Sequence, residues 1–424
     1  MPTLRATMSS SLPPSLVRPV RSLSRHHRWK VLALGVAANV CFSAAINGLP
    51  TTAVLVRAAY GLDTAALGLV LGLMGLGVAI GELPWGVATD RWGDRPVLLA
   101  GLWTTGAALA AMALWVSPQA GHVPAMGLLA AGLLLVGVLG GSVNGSSGRA
   151  VMLWFGPGER GLAMSIRQTA IPLGGGLGAL VLPALAARHG FAAVYGVLAL
   201  SCALCALLAW RWLHEPPVAA PAPGTAAQAT EPAGPPALRD AALWRLVLAT
   251  GLLCAPQCAV LSFGTVFLHD GLGIAVGTAA AAIAVLQGGA IMLRVWSGHW
   301  TDRRGNRHAY LRACTLLSAL LFIALAASPC LGAGGALVLL VAAGTCVSAW
   351  HGVAFAELAT RAGAARVGTA LGMANTAVFV GCFLTPVAIG QVLPAAGWTA
   401  VWLGGAVIAV AAFILFGARR SAGV

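Results

Sequence analysis

Charged and polar side chains set inside long apolar runs are where this chain could do chemistry. Glu82, Arg149, Arg167, Arg294 and Glu357 are ionisable residues in such runs, and His351 lies among them. An arginine there can meet an anionic solute, and a carboxylate or imidazole can carry a coupling proton. The plainer reading is structural ion pairing, such as Glu82 with an arginine. Uncharged polar residues are also unevenly spread. Asn39, Ser43 and Asn47 repeat at i, i+4 and i+8, which puts them on one helical face. Ser142, Asn144, Ser146 and Ser147 crowd one run; Gln257 with Ser262 and Thr265, and Trp350 beside His351, mark two others. Gln168 and Asn375 complete the set. Asn39, Asn47, Asn144, Gln168, Gln257, Trp350, His351 and Asn375 are therefore the candidates for lining a solute cavity. For any single Ser or Thr, helix–helix hydrogen bonding worth ~0.6 kcal/mol is the simpler role.

Several chemistries are excluded. The glycines at 174–176 and 178 have no preceding strand and no following Lys-Ser/Thr, so they are no phosphate loop. No HExxH or GxSxG occurs, which argues against an enzyme, and no cofactor motif is evident. Nine cysteines are scattered through apolar runs; Cys202-x-x-Cys205 and the Cys254/Cys258 pair lack further ligands nearby in sequence. They read as packing residues, and no metal site is expected.

The elements that hold these residues must be membrane helices. The chain is 59% hydrophobic and 8% charged, against about 25% charged in soluble domains. The apolar runs are continuous and do not alternate, which excludes a β-barrel. Spans fall near 31–57, 65–88, 96–116, 124–154, 161–187 and 190–213, then 242–268, 276–298, 309–329, 334–358, 367–393 and 398–417. The first run is too long for a cleaved signal peptide and is read as an uncleaved span. The expected organisation is a basic tail at 1–28, a bundle at 29–213, a Pro/Ala-rich linker at 214–240, a second bundle at 241–418 and a short tail at 419–424. The formal charge of +14 lies in the first tail and in alternate loops. That asymmetry predicts an inner-membrane protein with both termini cytoplasmic, contact with anionic lipid, and no nucleic-acid partner. Polar spans one, four, seven and ten against nearly pure apolar spans three, six, nine and twelve suggest an inner and an outer ring.

The chain also repeats itself. Gly86-x-x-x-Asp90-Arg91-x-Gly93-x-Arg95 follows span two, and Gly298-x-x-x-Asp302-Arg303-x-Gly305-x-Arg307 follows span eight, 212 residues later (Asp90 to Asp302). Asn144-Gly145, Gly161 and Gln168-Thr169 match His351-Gly352, Gly368 and Asn375-Thr376, 207 residues later (Asn144 to His351). Two six-span halves related by an axis along the membrane normal are predicted.

These loops resemble the signature of the major facilitator superfamily between helices two and three, with a weaker copy between eight and nine. The resemblance extends over almost the whole chain through span number and linker position. It implies an all-α integral membrane fold of twelve helices in two pseudo-symmetric six-helix bundles. It also implies a central cavity lined by helices one, four, seven and ten. The chain departs from that family in reading Asp94-Arg95 where two basic residues are usual, and its fourth-helix arginine motif is not clearly present. Gly86, Asp90, Arg91, Gly93, Arg95, Gly298, Asp302, Arg303, Gly305 and Arg307 are expected to form a conformational latch; otherwise they anchor loops at the membrane surface. The expected activity is proton-coupled secondary transport of a small organic solute, foremost an organic anion, by a monomer. A proton-coupled drug or metabolite efflux antiporter is the alternative; a sensor or scaffold is the alternative from another class.

Overall fold

In a lipid solvent a backbone must satisfy its own hydrogen bonds, and continuous helices are how this sequence does so. The computed structural model describes residues 27–119, 121–155, 160–214, 239–362 and 367–417, and among these every regular element is helical. Among the described residues ten helical runs are long and apolar enough to cross a membrane. Two of them are too long for one crossing. At 1.5 Å per residue the 47 residues of Ile166–Trp212 would span about 70 Å, against ~30 Å of hydrocarbon. Gly190 breaks that run with φ 75°, and Gly397 breaks the 51-residue Val367–Gly417 run with φ 72°. The two breaks are again 207 residues apart. Each run thus holds two crossings, and the ten runs hold twelve.

The helices are α1 (His27–Tyr60), α2 (Thr64–Trp92), α3 (Asp94–Trp115), α4 (Met126–Val151), α5 (166–189) and α6 (191–212), then α7 (Ala241–Gly271), α8 (Val276–Arg304), α9 (Arg307–Ala326), α10 (Gly332–Ala362), α11 (367–396) and α12 (398–417). Asp63 caps α2 by accepting from the Ala66 amide at 2.7 Å, and Asp240 caps α7 through the amides of Ala242 and Leu243. The duplicated loops are held by glycine geometry: Gly93 ends α2 at φ 87° and Gly305 ends α8 at φ 62°, where an L side chain would be strained. The loops put Arg91, Arg303 and Arg304 at one face of the bundle, called the basic face below. Arg57, Asp63 and Asp270 mark the opposite face.

Within the first half, α2 crosses α4 with glycine on both sides. A Cβ on Gly77 would lie 2.1 Å from the Leu134 carbonyl oxygen, and one on Gly137 2.1 Å from that of Met74. Only glycine lets the two backbones approach this closely. The bundles meet along α2/α11 and α5/α8. Gly68 faces Pro386, Gly72 faces Phe383, Gly75 faces Cys382, and Gly175 and Gly176 face Gln287. These contacts run from the opposite face to the middle of the helices. There Phe42 and Phe379 pack edge to face at 6.4 Å. At the opposite face the Arg57 guanidinium pairs with the Asp270 carboxylate across the halves at 2.5 Å. Toward the basic face, Ser142–Trp154 and His351–Ala362 pack chiefly on helices of their own halves. Leu114, Leu200, Leu320 and Val407 of α3, α6, α9 and α12 are exposed, as lipid-facing side chains of an outer ring are. α7 is the most enclosed helix.

Candidate substrate cavity

Helices α4 and α10 are both interrupted within the membrane. The break in α4 is at Gly141, between Met126–Gly140 and Ser142–Trp154; the break in α10 is at 348–350, between Gly332–Val347 and His351–Ala362. Gly141 and Ser348 are 207 residues apart, so the two breaks occupy one position of the repeat. A break exposes backbone groups that a continuous helix would pair. In both halves a buried arginine reaches a carbonyl at this level: Arg294 that of Ser348, within the α10 break, and Arg167 that of Asn144, in the first turn after Gly141.

In the first half Arg167, 5% exposed, reaches from α5. Its Nη2 donates to the Asn144 carbonyl oxygen (2.7 Å), to Ser147 Oγ (3.0 Å) and to Asn39 Oδ1 (3.4 Å), and its Nε donates to Ser147 Oγ (3.2 Å). Asn39 Nδ2 donates in turn to Ser147 Oγ at 2.9 Å and to the Gly35 carbonyl. The Asn144 side chain turns the other way and donates to Glu82 Oε1 at 3.2 Å. Glu82, Asn144, Arg167, Asn39 and Ser147 therefore form one connected network over α1, α2, α4 and α5. The second half repeats the plan with other chemistry. Arg294, 8% exposed, donates through Nε to the Ser348 carbonyl (2.9 Å) and through Nη2 to His351 Nδ1 (3.0 Å). Arginine has only donors, so Nδ1 of His351 must accept and cannot itself carry a proton in this contact. Trp350 stacks on the His351 ring at 3.7 Å between centroids.

Three features of this arrangement bear on ligands. Among the described residues no carboxylate is within ion-pair distance of Arg167 or Arg294. No described protein atom accepts from Nη1 of either guanidinium. Gln257 Oε1 and Trp350 Nε1, both buried, lack a protein partner.

Other predicted residues sit elsewhere. Arg149 lies at the basic face, where it donates to the Thr89 carbonyl at 2.8 Å and pairs with Asp94 at 3.3 Å. Its place in the sequence, eleven residues before Arg160, already put it near that end. Glu357 lies at the same face between Arg361 (3.1 Å) and His308 (2.9 Å). Both belong to charge networks at the basic face, away from Arg167 and Arg294. Arg95 bonds the Trp210 carbonyl (2.8 Å) and Arg307 the Thr360 hydroxyl (2.9 Å), each within its own half. The side chains of Asp90 and Asp302 lie outside the described residues, as do 1–26 of the first tail, 215–238 of the linker and 418–424 at the far end. Asn47 donates to Ser43 Oγ at 2.9 Å and lies against Gly175 beside Gln287. Gln168 and Asn375 are half-buried on α5 and α11, without side-chain hydrogen bonds among the described residues. The sequence reading passed over Gln287, Asp270, Ser348 and Cys382. A lone glutamine in the apolar α8 was the one available signal for the first.

The family model that describes the Major Facilitator Superfamily matches residues 35–386. The chain belongs to the major facilitator superfamily. An uncharacterized MFS-type transporter of Mycobacterium tuberculosis is 30% identical over 375 residues, covering 88% of this chain and 81% of that one. A probable anion transporter of Arabidopsis thaliana is 32% identical over 161 residues, 38% of this chain and 35% of its own length. Among solved structures, a bacterial homologue of the human lysosomal transporter Spinster, in an inward-facing and occupied conformation, superposes with a TM-score of 0.76. That match is 16% identical and covers 93% of this chain and 97% of the other, so it speaks for the fold alone. The protein is accordingly a multi-pass membrane transporter of the superfamily and not an enzyme.

Proposed function

We propose that this transporter moves a small organic anion by alternating access, coupled to protons. The observation that carries the reading is the pair of buried arginines, one in each half. Among the described residues each donates to a carbonyl of an interrupted helix, has no carboxylate within ion-pair distance, and keeps Nη1 free of protein acceptors. Interrupted helices at matching positions of two repeats point to a substrate site near the bilayer midplane. The segmental likeness to a probable anion transporter agrees with this. Protons enter through the neighbours of the arginines. Protonating His351 at Nδ1 removes the acceptor for Arg294, and Glu82 is tied to the Arg167 network through Asn144. Either group links its proton to the state of an arginine. The charge asymmetry of the loops supports an inner-membrane orientation with the basic face cytoplasmic. The arrangement described is then closed toward the outside by Arg57–Asp270.

The test is uptake into proteoliposomes with an imposed pH gradient, using carboxylates, phosphate esters and sulfonates beside neutral isosteres of similar size. Anions are expected to be taken up and neutral analogues not. Arg167→Gln and Arg294→Gln are each expected to reduce anion uptake at least about tenfold, since a hydrogen bond to a charged group is worth ~1.5–3 kcal/mol. Anion uptake that survives both substitutions, or equal uptake of neutral isosteres, overturns the proposal.

A further inference from the structure

Three thiols that are far apart in the sequence converge in the second half. Cys254 and Cys258 stand one turn apart on α7, and Cys382 comes from α11. Their sulfurs are 3.0 Å (Cys258–Cys382), 3.5 Å (Cys254–Cys258) and 3.6 Å (Cys254–Cys382) apart. All three ligand atoms lie within 4.8 Å of one another, and no other histidine, cysteine or carboxylate joins the group among the described residues. Cys254 and Cys258 are buried, and Cys382 is partly exposed. Cys382 faces the seam between the halves, where a Cβ on Gly75 would lie 2.9 Å from its own Cβ.

We infer that Cys254, Cys258 and Cys382 form a three-sulfur binding site for a soft monovalent metal ion of the Cu(I) or Ag(I) type, clasping α7 to α11 behind the α2 seam. A metal–sulfur bond of ~2.3 Å in a trigonal plane sets the sulfurs about 4 Å apart, so the observed triangle needs only a small expansion to accept an ion. The ligand set selects the metal. Thiolates without oxygen or imidazole favour soft ions. Zn(II) favours four ligands, and the group supplies three. The Arg294 guanidinium lies in electrostatic range of Cys254 and offsets part of the negative charge that thiolate ligation brings into an apolar setting. Each thiol that ligates as thiolate gives its proton to solvent as the metal binds; no oxidant or reductant takes part. Among the described residues no other group brings three sulfurs this close: Cys41 and Cys205 lie 3.3 Å apart and Cys314 packs against Cys346, but neither pair gathers a third ligand within 4.8 Å.

The site does not rest on the choice of transported solute, and its test reads metal and not transport. The full-length protein, purified in detergent with a phosphine reductant, is titrated with Cu(I) buffered by a chromogenic chelator, and the complex is examined by X-ray absorption. One Cu(I) per chain with three sulfur scatterers near 2.3 Å is expected. Cys382→Ser and Cys258→Ser are each expected to weaken binding at least a hundredfold, while Cys41→Ser/Cys205→Ser leaves it unchanged. Metal should also raise the melting temperature of the wild type and of the Cys41/Cys205 variant, and leave Cys382→Ser unmoved. A shell of two sulfurs in the wild type overturns the inference, as does Cu(I) binding that persists in Cys382→Ser or a Cys258–Cys382 disulfide in place of metal binding. The wild-type spectrum decides the matter if a serine variant does not fold.

Discussion

The Arg57–Asp270 pair is a charge contact across the two halves at the opposite face, and its worth can be bounded. Nη1 and Oδ2 are 2.5 Å apart, and each side chain is 28% exposed. Partial exposure limits such a pair to the upper end of the surface range, about 1 kcal/mol. Asp270 sits in the short π-helical segment Phe267–Gly271. Phe267 is packed edge-on against Trp398 and Trp402, at 5.2 and 5.1 Å between centroids. Because the aromatic cluster holds this segment in place, little ordering entropy opposes the pair. If the contact exists only when this face is closed, then losing it shifts the closed-to-open ratio by about fivefold, at ~1.4 kcal/mol per factor of ten.

Hydrogen–deuterium exchange over Ala53–Tyr60 and Phe267–Gly271 reads that ratio directly in proteoliposomes. Arg57→Ala and Asp270→Ala should each speed exchange there by about fivefold, and the double variant should do no more than either alone. The exchanged pair Arg57→Asp/Asp270→Arg should restore most of the protection. Raising ionic strength to about 1 M, where the screening length falls to ~3 Å, should bring the wild type toward the single variants. Additive single effects, or an exchanged pair that behaves like the double alanine, would refute the reasoning. The charges would then act only through their own surroundings.

Two further outcomes follow from the packing. Gly77→Ala places a methyl group against the Leu134 carbonyl and should lower stability by about 1–3 kcal/mol, read as a fall in melting temperature in detergent. Gly288→Ala, where a Cβ meets nothing within 4 Å, is the control and should be neutral or slightly stabilising. Asp94→Asn removes one charged partner of Arg149, in a pair whose side chains are 39% and 10% exposed, and should cost on the order of 1 kcal/mol, read as a fall in melting temperature that shrinks in high salt.

Much of the fold was legible because hydropathy and repetition are local properties. The 207-residue offset, first seen in Asn144 and His351, also relates Gly141 to Ser348 and Gly190 to Gly397, at backbone breaks that the matching motif never touched. The positive φ at Gly93 and Gly305 likewise explains why the duplicated loops keep that glycine. The site was legible in part. Intramembrane charge singled out Arg167, Arg294 and Glu82 together with Arg149 and Glu357, and only the closeness of Arg149 to Arg160 set one of them nearer the basic end. Arg149 and Glu357 belong to networks at the basic face because Thr89 and Asp94, at the α2–α3 loop, come up against Arg149, and packing alone decides that. The thiol cluster was out of reach for the same reason. Cys382 is 124 residues from Cys258, and a spacing rule searches only along the chain.

The two halves make one contact twice with opposite charge. Asn144 donates to Glu82 in the first half, and Arg294 donates to His351 in the second. His351 occupies the repeat position of Asn144, and Arg294 that of Glu82, eight residues before Asp302 as Glu82 is eight before Asp90. The scaffold therefore fixes a hydrogen bond between the second and fourth helices of each half, while the charge of the second-helix residue is free to change. An arginine at both positions would put a third buried cation near Arg167; a glutamate at both would give Arg167 and His351 acidic neighbours and leave α8 without a buried arginine. The observed pairing keeps one buried arginine in each half among the described residues: Arg167 on α5, near an acid, and Arg294 on α8, near an imidazole. In each half a group able to exchange protons, Glu82 or His351, stands in the same hydrogen-bond network as the buried arginine.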